Sequence, residues 1–442
     1  MESQTPITDA PPTRSRLRIH WFSFALAGFL ALLAVEKYRH GLIQIEGIDF
    51  SVPYACTRAW LQGSDPYSGE NILRIFSESG GQLENFQLKY LPPVYPPTTF
   101  VVMAPLALPP WQEALRIWSI AAIVLLTVML ASLLDLARMR WKDHRTGLLI
   151  LFCIVFGPLR SAIALGQSAI LAISLATLAA AVLARGWNVL PGILLAIAVA
   201  FKPQDALFAV GFFVLMRRWK ALLWCAGIFA FICLIAIFRP GFSNPMWVMD
   251  VLHWIREANA PGAITDPAAP NGGRFQMVHL PVLLSTVIHN RIAVSILTVL
   301  ISLTLGAAVA VLVFLAGKKT PPERPHLLAL SALAIFSLLP IYHRFPDGIL
   351  LLLPMTWAIH RLGTSDEWIA RITLLLILPF LIQPYEVLRT IVNSGRLSRT
   401  IYEAWWFQCF ARASLIWLIL ALTVWLVFQL KRQVSSAHPR CP

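Results

Sequence analysis

The chain has 442 residues, 57% of them apolar and only 13% charged, about half the charged fraction of an ordinary soluble protein. That composition excludes a conventional soluble enzyme of two or three domains, and it excludes intrinsic disorder more firmly. The net charge of +14 invites a nucleic-acid reading, but the basic residues stand in short clusters between apolar runs, the pattern of inner membrane loops.

Residues 1–20 are polar, basic and rich in Pro and Thr, and read as a disordered cytoplasmic tail. The apolar run from Trp21 to Val35 has no small-residue cleavage site after it, so a retained first span is expected rather than a signal peptide. Residues 38–96 form a long, mostly polar outer segment with a short amphipathic stretch from Pro53 to Gln62, expected to lie on the membrane as an interfacial helix. Thr98 to Leu108 is apolar but too short to cross comfortably, and Pro96-Pro97 and Pro109-Pro110 bracket it. It is read as re-entrant or interfacial.

Further spans are expected near 111–135, 147–163, 168–185, 187–201, 203–216, 221–238, 291–316, 326–341, 347–360, 368–384 and 411–430. With the first, these make about twelve, and they place the clusters at Arg138–Arg145, Arg217–Lys220, Lys318–Arg324 and Lys431–Arg432 on the inner side. The expected fold is an all-α polytopic membrane protein: one transmembrane domain over 21–430, outer loops at 38–96, 239–290 and 385–410, and a cytoplasmic tail at 431–442. Half of the 22 acidic residues, with many Trp, Tyr and Pro, fall in those outer loops. The inner loops contain neither G-x-x-x-x-G-K-[ST] nor G-x-G-x-x-G, so the working face is expected outside. Cys56 and Cys409 both fall on that face, where a disulfide is one option.

Four stretches carry candidate chemistry. Asp49 stands about a dozen residues after the first span, where a partly desolvated carboxylate can take a proton from a hydroxyl; a helix cap or solvated loop acid is the alternative. Asp65, in Gly63-Ser64-Asp65-Pro66-Tyr67, sits in strong turn chemistry. Lys202 ends a strongly apolar run and is followed by Pro203-Gln204-Asp205; it either snorkels or holds an anion. His343 and Arg344 stand with Asp347 between two apolar runs, where Arg344 either grips a phosphate or pairs with Asp347. Asn271 and Arg274 belong to a flexible outer loop with polar groups for a ligand. This reading leaves group transfer and transport both open.

The order of these pieces resembles the bacterial membrane glycosyltransferases of family 87, within the GT-C superfamily, which include mycobacterial polyprenol-phosphate-mannose-dependent mannosyltransferases. The residues that carry the resemblance are Asp49-Phe50, the Asp65 turn, Tyr95-Pro96-Pro97, Ala104-Pro105-Leu106-Ala107, Gly166-Gln167, Lys202-Pro203 and Tyr342-His343-Arg344. Where many relatives have Asn two residues after Gly-Gln, this chain has Ala169. The resemblance implies transfer of a sugar, mannose being the best-known one, from a polyprenyl-phosphate donor to a lipid or glycan hydroxyl by an inverting single displacement. It implies Asp49 as catalytic base, Lys202, His343 and Arg344 at the donor phosphate, and Tyr95, Gln167, Asp65, Asn271 and Arg274 around the substrates. A bacterial plasma-membrane location is expected, with membrane lipids as surroundings and no metal, cofactor or nucleic acid. Transport or flipping of a lipid-linked sugar is the alternative.

Overall fold

The computed structural model describes residues 25–33, 46–83, 93–239, 246–270, 272–319 and 326–436. Of the expected features, the tail at 1–20, most of the flanks of the first span and Asn271 lie outside the described residues.

Helix α1 covers 25–33, within the first expected span. Three helices of 14, 10 and 11 residues follow: α2 (Ile48–Leu61), α3 (Gly69–Glu78) and α4 (Pro97–Ala107). The chain then runs up and down through α5 (Trp111–Ala137), α6 (His144–Val155), α7 (Gly157–Leu165), α8 (Ala169–Ala184), α9 (Val189–Phe201), α10 (Pro203–Leu215) and α11 (Trp219–Phe238). After α12 (Trp247–Ala258) and α13 (Leu280–Leu284) come α14 (Arg291–Lys319), α15 (Leu327–Ser337), and a 3-10 segment (Phe345–Leu351) that leads into α16 (Leu352–Arg361). The last helices are α17 (Glu367–Ile377), α18 (Pro384–Asn393), α19 (Arg399–Glu403), α20 (Trp405–Phe407) and α21 (Ser414–Ser436). Strands are absent among the described residues, whose single β-bridge joins Met277 to Arg344.

Four of these helices, α5, α11, α14 and α21, are long and apolar enough to cross a membrane, and two bent pairs, α6–α7 at 51° and the α17–α18 region at 46°, raise the number to six. Their outward faces confirm the solvent they were selected for: Ile292 and Leu303 of α14 and Phe238 of α11 are 71%, 66% and 75% exposed. Water would tolerate no such belt, whereas hydrocarbon does.

Other apolar helices, α4, α8, α9, α10 and α15, have only 11, 16, 13, 13 and 11 residues, short of the roughly 20 a span requires. Their missing turns have visible causes. Gly166, in the left-handed region at φ 68°, ends α7 just before α8. Pro203 starts α10 with its fixed φ, so Lys202 between α9 and α10 leaves the helical path at φ −147°. The chain breaks again between α15 and the 3-10 segment at Phe345. All three breaks face one end of the bundle.

Helix α2 departs from expectation. Instead of an amphipathic surface helix over 53–62 it spans 48–61 and is buried along most of its length. Aromatic stacking explains this: the Phe50 ring lies 5.1 Å from Trp118 and 5.8 Å from Trp111, both on α5. Such pairs contribute about 0.5–1.5 kcal/mol each beyond area burial. Further along, Arg58 Nη1 donates at 3.0 Å to the carbonyls of Ala107, Leu108 and Pro109, the unsatisfied acceptors at the end of α4. Cys56 and Cys409 are both free and buried in separate apolar clusters, so no disulfide joins them.

Candidate active site

The breaks in α7–α8, α9–α10 and α15–α16 converge on a cavity of about 300 Å³. Five residues singled out from sequence line it: Asp49, Tyr95, Gln167, Lys202 and Arg344.

Asp49 sits in the first turn of α2, whose start is fixed by Gly47 in the left-handed region. The backbone N–H groups of Glu46 and Gly47 donate to Ala164 O at 2.8 and 3.2 Å, docking the entry of α2 onto the end of α7. A Cβ on Gly166 would come within 2.9 Å of Phe50 Cβ and 3.2 Å of Gly47 Cα, so that approach requires glycine. The next residue, Gln167, donates from Nε2 to Asp49 Oδ2. Burial raises the Asp49 carboxyl above the usual carboxylate range, and the neighbouring Arg344 and Lys202 charges and the Gln167 bond offset this only in part.

Lys202 has a different environment. Its Nζ lies 2.7 Å from Asp205 Oδ2 and 2.8 Å from Asp347 Oδ1. Asp347 Oδ2 also accepts from Arg344 N at 2.9 Å, capping the 3-10 segment. His343, fully buried, places Nδ1 3.4 Å from Asp205 Oδ1 and 3.3 Å from Asp347 Oδ2. Burial opposes a charged imidazole there, but the two carboxylates raise His343 to about 9. The protonated ring and Lys202 then balance both acids. Asp205, His343 and Asp347 also bring three ligand atoms within 4.8 Å of one another, a grouping with the donors to hold a metal ion, and the Lys202 ammonium lies beside two of them.

Arg344 is placed otherwise. Its backbone is tied to Asp347, yet among the described residues its guanidinium forms no ion pair with a carboxylate; the Tyr342 side chain lies beside it. It lines the cavity together with Asp49, whose carboxylate feels its charge. The expected alternative of an Arg344–Asp347 side-chain pair is replaced by Lys202–Asp347.

Three expected site residues stand elsewhere. Asp65 Oδ1 accepts from Tyr67 N at 2.9 Å, and Tyr67 Oη donates to Tyr95 O at 2.8 Å, so the turn holds Tyr95 at the cavity without reaching it. Trp254 Nε1 of α12 donates to Tyr67 O at 3.0 Å, tying α12 to the same turn. Arg274 donates to Gln408 Oε1 and stacks on Phe275, outside the cavity. His343 lies behind the cavity wall, touching it through Asp347.

Sequence reasoning missed Asp205 and Asp347 as partners of Lys202, Tyr342 as a wall, and the side formed by Ile255, Ala258, Asn259, Ile264 and Thr265. The Lys202–Asp205 spacing of three residues, one turn of helix, was a readable signal. The α12 side had none.

All-helical, with lipid-facing apolar helices and a charged cavity where its short helices stop, the chain is an integral membrane protein with a buried polar site. The model of glycosyltransferase family 87 matches residues 94–342, more than half of the chain, and the chain belongs to that family. It is a membrane glycosyltransferase, acting on a donor and an acceptor substrate. The matched stretch holds Tyr95, Gln167, Lys202 and Asp205; Asp49 precedes it, and His343, Arg344 and Asp347 follow it. No curated protein and no solved structure matches the chain.

Proposed function

We propose that the chain moves a sugar, with mannose the first candidate, from a polyprenyl-phosphate donor to a hydroxyl of a lipid or glycan acceptor, inverting the anomeric centre in one displacement. Its setting in this reading is a bacterial plasma membrane, crossed about twelve times, with the basic clusters inside and the cavity facing out. The observation that supports the chemistry is the division of labour among the cavity's charges. Of the two carboxylates that line it among the described residues, Asp347 is bound to Lys202 and a backbone N–H, which leaves Asp49 to accept a proton.

As the acceptor oxygen bonds to the anomeric carbon, its proton passes to Asp49 and the bond from that carbon to the phosphate oxygen breaks. The departing lipid phosphate keeps the electron pair, and Arg344 stands to neutralise its growing charge. Lys202 contributes from the wall, with Asp205, Asp347 and His343 holding its ammonium in place. Tyr95 and Gln167 flank the acceptor side, Gln167 keeping Asp49 oriented. Asp65 supports Tyr95 through the Tyr67 turn.

The test is purified protein incubated with labelled polyprenyl-phosphate sugars, with and without chelator, scored for free polyprenyl phosphate and for labelled acceptor. Release of free polyprenyl phosphate coupled to acceptor labelling is expected. A carrier that only flips the lipid-linked sugar leaves it intact, and that result would end the transfer reading.

A further inference from the structure

The turn between α9 and α10 carries a polar side chain that neither the ion cluster nor the transfer chemistry occupies. Where Lys202 leaves the helical path, the last carbonyls of α9 lose their helical donors. Two threonines of α4 replace them: Thr98 Oγ1 donates to Ala200 O at 2.8 Å, and Thr99 Oγ1 to Phe201 O at 3.0 Å. The break is thereby pinned from outside itself, and the residues just after it are held in place.

The side chains of the turn divide sharply. Lys202 is bound by Asp205 and Asp347, and Asp205 is fully buried. Pro203 has no polar group to offer. Gln204, in the first turn of α10, lines the active-site cavity, and its amide forms no hydrogen bond among the described residues. The lining holds two other side-chain amides, Gln167 and Asn259. Gln167 donates to Asp49. Asn259 donates to Ile255 O at 2.7 Å and accepts from Thr265 Oγ1 at 3.0 Å. Gln204 alone of the three keeps both ends of its amide open.

We propose that Gln204 recognises the sugar being transferred, its Nε2 donating to one hydroxyl and its Oε1 accepting from a neighbouring one. A carboxamide sets a donor beside an acceptor, the pattern that adjacent hydroxyls present. This contact rests on the glycosyl-transfer reading, in which the sugar lies between Asp49 at the attacking oxygen and Arg344 at the donor phosphate. Gln204 lines the space that those two share. Ile255, Ala258 and Ile264 add apolar surface for the C–H face of the ring. Gln204 makes and breaks no bond; it selects which sugar fits.

The test uses the full chain in detergent with short-chain polyprenyl-phosphate mannose, glucose and galactose, and then the monodeoxy analogues of the sugar best used. Donor binding is read by the shift in thermal midpoint, and transfer by release of free polyprenyl phosphate. Gln204→Leu, similar in size but without polar atoms, is expected to bind the best donor more weakly and to lower kcat/KM about tenfold. One monodeoxy analogue should lose about as much with the wild-type protein, and Gln204→Leu should no longer tell that analogue from the parent sugar. Gln204→Glu keeps the shape and the acceptor, so a partial loss is expected there, and it serves if the leucine variant does not fold. Variants that discriminate among the analogues as the wild type does would overturn the assignment, while release of polyprenyl phosphate by the wild type would leave the transfer reading standing. No release from any donor would end the transfer reading, and binding would still decide Gln204: equal affinity of wild type and Gln204→Leu for every lipid-linked sugar removes the contact. A wild-type protein that binds none of the three donors overturns both.

Discussion

At the active-site end, Lys202 is 9% exposed and lies between two buried carboxylates that approach it from different parts of the chain. At the basic end, Arg185 meets Asp135 at 2.9 Å with 64% of its side chain still exposed. The distances are nearly the same, but the energetics are not. An exposed pair gains little because each ion was already well solvated, whereas buried ions have given up their water and depend on one another. The contrast separates ions that shape the site from ions that only mark the membrane face, and mutation at each end can measure it.

The largest effect is expected at Asp49. Asp49→Asn keeps the shape and the Gln167 contact but removes the proton acceptor, and turnover should fall about 10²–10⁴-fold. Near-normal turnover would dismiss Asp49 as the base. Next is Lys202→Met, which leaves Asp205 and Asp347 with one buried cation in place of two. Breaking a buried pair in this way costs about 3–5 kcal/mol, so a marked drop in thermal midpoint in detergent is expected; a midpoint equal to wild type would show the pair to be dispensable.

A finer measurement concerns pH. The base must be ionised, so kcat/KM should rise with pH through an apparent pKa above the ordinary aspartate value of about 3.9, the direction that burial sets for Asp49. The Gln167 bond favours the ionised form, so in Gln167→Leu this acidic limb should move to higher pH. A limb that stays in place, or moves down, would separate Gln167 from the titration of Asp49. The smallest effect belongs to the basic end: Arg185→Gln should change stability by less than about 1 kcal/mol, checked by the same thermal midpoint. A loss as large as that of Lys202→Met would erase the comparison.

Much of the site was legible because its residues break local rules. Lys202 and Arg344 are cations beside apolar runs, and Gly166 and Pro203 interrupt helical patterns, so each stands out within a few residues of sequence. Helix α2 was not legible in the same way. Its polar-looking 53–62 stretch reads as a surface helix, and only the Phe50 stack on Trp111 and Trp118 buries it. Arg274 looked like a ligand contact, but Gln408, far along the chain, takes up its guanidinium.

The sequence by itself determined that the chain lives in a membrane, where its helices break and which ionisable residues gather near those breaks, since hydropathy, proline and glycine act locally. Only the tertiary structure decided which charges cancel. Lys202 and Asp347 are 145 residues apart, and no spacing rule pairs them; packing α10 against the α15–α16 break does. That packing commits Lys202 to its carboxylates and leaves Asp49 and Arg344 facing the cavity, because a buried charge must find its partner wherever the fold brings one within reach.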